Sequence, residues 1–299
     1  YIRQTKTDER DCFIIAEVIR FGRYSQGSMP PADIYALREM CRARFFMVDM
    51  TSDLKRKVIA LLDQVFPEYE TLFTDIFGLT SSALLCTCPT PAEILAVDTE
   101  KLIELISVPS HKRFGRQKAE QIRSVAKKSF GVLLGNDAIS GLIKQYMEHI
   151  RFSQQQIMEL DENIAALFSK FDTPITTVPG VGPVLGAAIF SEIGDISRFR
   201  SAAKLAAFAG IDPSVRRSGE FSGIRNHMSK RGSPYLRRAL WQASVIAALH
   251  DPALKAFFQK KRAQGKSYMN VIGHVTRKMA SIIFAVLRDR TPYYVPDLN

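Results

Sequence analysis

At 299 residues, 46% of them hydrophobic, the chain is long enough for one large domain or for two or three with buried cores. No apolar run reaches membrane-spanning length, and the first residues lack the plan of a signal peptide. The net charge of +11 is unevenly placed: residues 173–299 hold 19 Lys/Arg against 7 Asp/Glu, whereas residues 1–172 hold 22 against 23. Basic excess gathered in one part of a chain is the footprint of a polyanion partner, nucleic acid above all. The four cysteines (Cys12, Cys41, Cys86, Cys88) form no pairing framework, and Cys86-Thr-Cys88 lacks the second ligand pair of a zinc site. Reduced structural thiols in a cytosolic protein are expected.

Residues 7–21 are predicted to form a helix with Thr7 as its N-cap and acidic residues in the first turn. Asp8 and Asp11, three apart, project from one face. Two readings fit the pair: carboxylates that share a magnesium or manganese ion, with further ligands from elsewhere, or first-turn charge that complements the helix dipole. Residues 22–31 read as a loop. From residue 32 to 66 apolar side chains recur at three and four (Leu37, Met40, Phe45, Leu54, Val58, Leu62, Val65), the pattern of a long amphipathic helix. The regularity breaks at Pro67 and again from Gly78 to Pro91. Residues 91–107 and 116–129 are predicted as two shorter helices flanking a basic turn. Residues 137–171 form a second long amphipathic helix. Pairing the two long helices gives an antiparallel coiled-coil-like hairpin or a dimerisation arm.

Beyond Pro174 the segment Thr177–Gly194 has the form of a helix-hairpin-helix element. Its Pro179-Gly180-Val181-Gly182 turn, with Gly180 and Gly182, presents backbone N–H groups to a nucleic-acid phosphate, or serves as a plain interhelical turn. A small-residue helix follows at 199–208, then a glycine-punctuated basic stretch from Ile211 to Arg238. Ser218 sits there among Arg216, Arg217, Arg225, Lys230, Arg231, Arg237 and Arg238. A serine oxygen becomes a competent nucleophile only with a base, or with cations that stabilise developing charge, and guanidinium forks match phosphate oxygens. The same residues also read as a basic loop whose serine merely caps the next helix. Gly219, Gly223 and Gly232 are expected to loosen this backbone or let it approach a ligand. A helix at 234–249 is expected to bury Leu236, Leu240, Trp241 and Ile246, with Arg237 and Arg238 in its first turn reaching toward an anion. A final apolar helix at 270–288 closes the core. Of the five histidines only His227 lies near Ser218 in sequence, as a candidate base or a surface residue.

Three sets of residues carry a resemblance. Lys6-Thr7-Asp8-Glu9-Arg10-Asp11, Val178-Pro179-Gly180-Val181-Gly182 with Glu192-Ile193-Gly194-Asp195, and Ala206 to Gly210 with Arg217-Ser218-Gly219, Ser229-Lys230-Arg231-Gly232 and Leu236-Arg237 together resemble the Piv-invertase-related insertion-sequence transposases and recombinases. The resemblance implies a mainly α chain in three parts: 1–24, the end of a RuvC-like domain with a D-E-D-D carboxylate set; 32–172, a helical coiled-coil region; and 173–292, a Tnp domain. It implies DNA strand cleavage and exchange, with Ser218 as nucleophile and Asp8 and Asp11 as ligands of Mg2+. It also implies partners: DNA, in some members a structured guide RNA, and further copies of the chain as a dimer or tetramer. The expected location is the bacterial or archaeal cytoplasm, at the nucleoid and away from membranes. The chain begins with Tyr1, downstream of where the family places its first two acidic residues. A trimmed chain is therefore expected, inactive without the upstream carboxylates.

Overall fold

The computed structural model describes residues 7–22, 30–132, 134–214 and 227–295, and the backbone of 217–218 and 221–222. The described residues are mainly α-helical. Helix α1 (Asp8–Arg20) starts where the sequence places it: the Thr7 hydroxyl oxygen accepts from the Arg10 amide at 3.4 Å. None of its residues is buried.

Helices α2 (Ala32–Val65) and, after four intervening helices, α7 (Asn136–Phe168) form the predicted antiparallel hairpin. Leu37, Cys41 and Phe45 near the start of α2 share a core with Ile164 and Phe168 at the end of α7. Val58, Leu62 and Val65 at the other end share a second core with Ile143, Met147 and Ile150. Midway, Arg44 grips Asp161 with two parallel bonds, its Nη2 donating to Oδ2 at 2.9 Å. α2 stops at Phe66 because Pro67 follows, and a residue before proline is driven out of the helical region (φ −153°, ψ 66° here).

Residues 66–132 close one end of the hairpin with α3 (Leu79–Thr87), α4 (Pro91–Ala96), α5 (Thr99–Ser107) and α6 (Arg116–Lys127). The segment expected as one helix over 91–107 is two. Asp98 ends the first and caps the second, its Oδ2 accepting from the Glu100 amide at 3.2 Å. Helix α3 falls where the sequence shows only a break. It buries Thr80 and Ser81 beside Leu84 and Leu85, so its inward face carries no apolar period. Glu93 fastens this unit to α7, accepting from Ser140 Oγ at 2.7 Å and Lys144 Nζ at 2.6 Å. Burial pushes its carboxyl pKa up, but the Lys144, Ser140 and Thr90 hydrogen bonds outweigh that and hold it below the usual range.

The opposite end carries α8 (Pro183–Ile193), α9 (Ala202–Phe208), α10 (Pro234–His250), α11 (Pro252–Ala263) and α12 (Tyr268–Asp289). α12 runs through the middle and buries ten residues from Val271 to Leu287. Helix α11 has no counterpart among the predicted elements; the buried Asp251 starts it, accepting from the Leu254 amide at 2.7 Å. α10 buries Leu236 and Leu240 as expected, but alanines, not Trp241 and Ile246, complete its inward face. Its buried stripe is Leu236, Ala239, Leu240, Ala243, Ser244, Ala247 and Ala248, and Ile246 is 45% exposed. Alanines let neighbouring backbones approach closely, so the inward face is the one with small side chains. The four cysteines are free thiols. Burial pushes the Cys41 and Cys88 thiols up to about 12, so both stay protonated and inert.

Candidate active site and nucleic-acid interface

The basic stretch between α9 and α10 is an antiparallel excursion with a locked base. Ser214 N donates to His227 O at 2.7 Å, Pro213 bridges Met228, Ser229 N donates to Asp212 O at 2.9 Å, and Lys230 N donates to Gly210 O at 3.0 Å. The Ser229 hydroxyl also bonds the Asp212 carboxylate. Farther out, β1 (Arg217–Ser218) pairs with β2 (Phe221–Ser222), Ser218 lying opposite Phe221. Only two residues, Gly219 and Glu220, separate the strands in sequence, the spacing of a tight hairpin. Ser218 therefore sits at the end of a short ladder. Arg216, Arg225, Gly219 and Gly223 lie outside the described residues, as do the side chains of Arg217 and Ser218.

The base is locked by two glycines, and here the expectation of a loosened, ligand-facing backbone is corrected for Gly232. A β-carbon on Gly232 would stand 1.8 Å from the Phe208 carbonyl oxygen, and one on Gly210 (φ +66°) would stand 2.8 Å from the Gly232 amide. The close approach is to the chain itself and pins the ladder between α9 and α10. Gly180 is explained similarly. It adopts φ +82°, and a β-carbon there would lie 2.3 Å from the Ala243 carbonyl of α10. Gly182, in contrast, is exposed with open space beyond its α-carbon.

Two of the expected phosphate-facing arginines have protein acceptors. Arg238 ion-pairs with Asp49 of α2 (2.7 Å) and lies over the Phe45 ring, 4.7 Å from its centroid. Arg237 Nη1 donates to Ala209 O at 3.1 Å, bracing the Gly210 turn. The anion that Arg238 reaches is thus a carboxylate of the long hairpin. Both arginines still line a cleft of ≈ 770 Å³ beside the ladder, together with His227, Met228, Lys230 and Trp241. Lys230 and Arg231 are exposed, and Lys230 holds the left-handed conformation at φ +55°. Trp241, expected in the core, is only partly buried and forms a wall of this cleft.

The start of α10 is held by a buried carboxylate to which the residues alone gave no role. Glu192 of α8 is 4% exposed. It accepts from Arg42 Nε at 2.7 Å and from Ser233 Oγ at 2.8 Å, and Ser233 in turn caps α10 by accepting from the Leu236 amide at 3.1 Å. Arg42 stacks on Tyr235, 4.8 Å from the ring centroid, and its hydrogen bond to Glu192 holds the guanidinium above its ordinary pKa. One acidic residue thus ties α2, α8 and the start of α10 together. The signal was available: Glu192 is the one charged residue in the mostly apolar Pro183–Ile193 helix, and a buried carboxylate there needs a cationic partner.

Comparison with known proteins bears on both ends of the chain. Residues 172–259 match the family described as "Transposase IS116/IS110/IS902 family", and residues 1–67 match the DEDD transposase family of IS110 type. Both ends of the chain are thus similar to transposases of the IS116/IS110/IS902 type. It is 26% identical over 299 residues to the "Insertion element IS110 uncharacterized 43.6 kDa protein" of Streptomyces coelicolor, covering 98% of this chain and 73% of that one. It is 30% identical over 167 residues to the "Pilin gene-inverting protein" of Moraxella bovis, covering 52% of this chain and 51% of that one. The transposase family identifies the chain as a DNA transposase/recombinase. None of its helices among the described residues is long and apolar enough to cross a membrane.

The DEDD assignment points to divalent-metal use in general. Asp8 and Asp11 supply hard oxygen donors from one turn of α1, the kind of ligand magnesium takes from protein. Among the described residues no group of three His, Cys, Asp or Glu gathers to hold a metal ion, so the pair is right in kind and too small to close a centre.

Proposed function

We propose that this transposase cleaves and rejoins DNA through Ser218. The observation that supports the reading best is the antiparallel ladder, which carries the Ser218 backbone on a braced base next to a cationic cleft. In the proposed step Ser218 Oγ attacks a backbone phosphorus, the P–O bond to a deoxyribose oxygen breaks, and a phosphoserine ester forms. The serine proton leaves to solvent or a base, and the departing sugar oxygen takes up a proton. Attack by the hydroxyl of a second strand reverses these changes and rejoins DNA with no net loss of ester bonds. Lys230, Arg231 and the arginines of the hairpin hold the phosphate by charge and guanidinium geometry. Magnesium, held by Asp8 and Asp11 with further carboxylates, supplies Lewis-acid stabilisation of the transition-state charge when bound. The exposed turn at Gly182 takes a phosphate at the start of α8 without reading sequence. A structured noncoding RNA and a dimer or tetramer of the chain complete the reading.

The test is covalent capture. The protein extended upstream to carry the full D-E-D-D set, as wild type and as Ser218→Ala, is incubated with element-end DNA, the flanking RNA and magnesium, then run on a denaturing gel. The expected result is a protein–DNA adduct in wild type only, with joining reduced by at least about 10³-fold in the variant and salt-sensitive DNA binding unchanged. Joining that survives in Ser218→Ala overturns the nucleophile assignment. An adduct in neither protein, with binding intact, favours a non-catalytic nucleic-acid-binding module.

A further inference from the structure

The cleft beside the ladder has a composition that phosphate binding alone leaves unexplained. Among the described residues that line it are the cations Lys230, Arg237 and Arg238, with His227 beside them, and none of these described residues is acidic. Trp241 and Met228 add an apolar wall. The wall lies against α12: a β-carbon at Gly273 would make ordinary van der Waals contact with it, 3.6 Å from the Met228 methyl and 3.9 Å from the Trp241 ring. The indole is half-buried, backed by α12 and lining the cleft. Arg237 and Trp241 are four residues apart on α10, so their side chains share one helical face. A cation and an open aromatic ring one turn apart match the two parts of a nucleotide, a charged phosphate and a flat base. The volume of ≈ 770 Å³ also falls in the range of sites for small organic ligands, roughly 300–1,000 Å³.

We propose that this cleft binds an unpaired nucleotide, stacking its base on Trp241 and holding its phosphate with Lys230 and Arg237. The proposal rests on the nucleic-acid reading of the same face and specifies it. A duplex offers the cleft only its phosphates, because its base faces are already stacked. A single strand offers both parts, and stacking on an aromatic ring tolerates any base. Strand exchange produces such unpaired nucleotides next to the scissile phosphate, and a guide RNA would carry them in its loops; the shared chemistry is the same.

Trp241 is the only tryptophan in the chain, so its fluorescence reports this site without a label. The protein is titrated with a twelve-nucleotide oligothymidylate, the matching oligouridylate and a duplex of the same length, with binding followed in parallel by anisotropy of labelled strands. Quenching by single strands and little by duplex is expected. Trp241→Leu should weaken single-strand binding roughly 5- to 100-fold and leave duplex affinity and the circular-dichroism melt unchanged, while Trp241→Phe, which keeps a ring, should recover most of the loss. The tighter of the thymidylate and uridylate arms identifies DNA or RNA as the source. Binding by anisotropy without quenching, or equal losses for single strand and duplex in Trp241→Leu, overturns the stacking site and leaves the general nucleic-acid reading standing. A Trp241→Leu variant that fails to melt cooperatively shifts the decision to Trp241→Phe, whose quenching by no strand overturns the proposal. Absence of binding to all three nucleic acids overturns both readings.

Discussion

The two ends of the α2–α7 hairpin are built from the same pair of helices and finished differently. At one end, residues 66–132 fold back as short helices around Phe66, Tyr69, Leu84, Ile94, Leu102 and Ile122, a core of large side chains. Its polar bonds, such as Glu93 with Ser140 and Lys144, run between neighbouring elements of that unit and α7. At the other end the core is rich in alanine and glycine, and the hairpin enters through charged groups: Arg42 to Glu192, Arg38 to the Ser191 carbonyl at 2.9 Å, and Asp49 to Arg238. Large apolar side chains give stability that tolerates repacking, whereas close backbones and directed ion pairs fix orientation. The difference marks the first end as support and the second as the part that must hold a ladder and a cleft in register.

Substitutions at each end sharpen that contrast. Leu102→Ala, in the fully buried supporting core, should cost about 2–5 kcal/mol in urea unfolding and leave nucleic-acid affinity of the folded protein unchanged. A parallel loss of affinity would break the division of labour. Glu192→Gln should cost less, roughly 1–3 kcal/mol, because the isosteric amide fills the site but leaves Arg42 or Ser233 without its charged acceptor. Its effect should nevertheless reach function, weakening oligonucleotide binding in salt-titrated anisotropy by letting the first turn of α10 shift. Unchanged affinity in a destabilised Glu192→Gln protein would make that carboxylate purely structural. Ile246→Ala, on the outward face of α10, should move the unfolding midpoint by no more than about 0.5 kcal/mol. A larger loss would restore it to a buried face, on a partner copy if not in the chain.

What could be read from the sequence follows from how each element is stabilised. The long helices and α12 keep an uninterrupted apolar period, and α1 announces itself through the Thr7 cap, so their positions were legible. The break at Asp98 was not, because an N-cap inside an amphipathic pattern looks like an ordinary polar position. α3 escaped because its buried Thr80 and Ser81 read as surface. Ile246 misled for the opposite reason: volume suggested burial, but α10 must approach Gly180 closely, and alanine permits that where isoleucine does not. The basic stretch was legible as a phosphate-facing segment in composition only. That Arg238 is engaged by Asp49, 189 residues away in sequence, and that Trp241 faces a cleft are facts of long-range packing, which no local pattern encodes.

Helix α2 gives Leu37, Cys41 and Phe45 to one core and Val58, Leu62 and Val65 to the other, within 34 residues or about 50 Å of unbroken helix. No single cut in the chain can therefore separate the two cores cleanly. A fragment starting near residue 173 would leave the apolar surface that meets α2 and the end of α7 facing water, and would lose the cation that neutralises Glu192. Such a piece would be expected to aggregate or to seek α2 and α7 from another copy. For dissection, domain swapping or split-protein complementation, the natural partner of the ladder-bearing half is the hairpin itself.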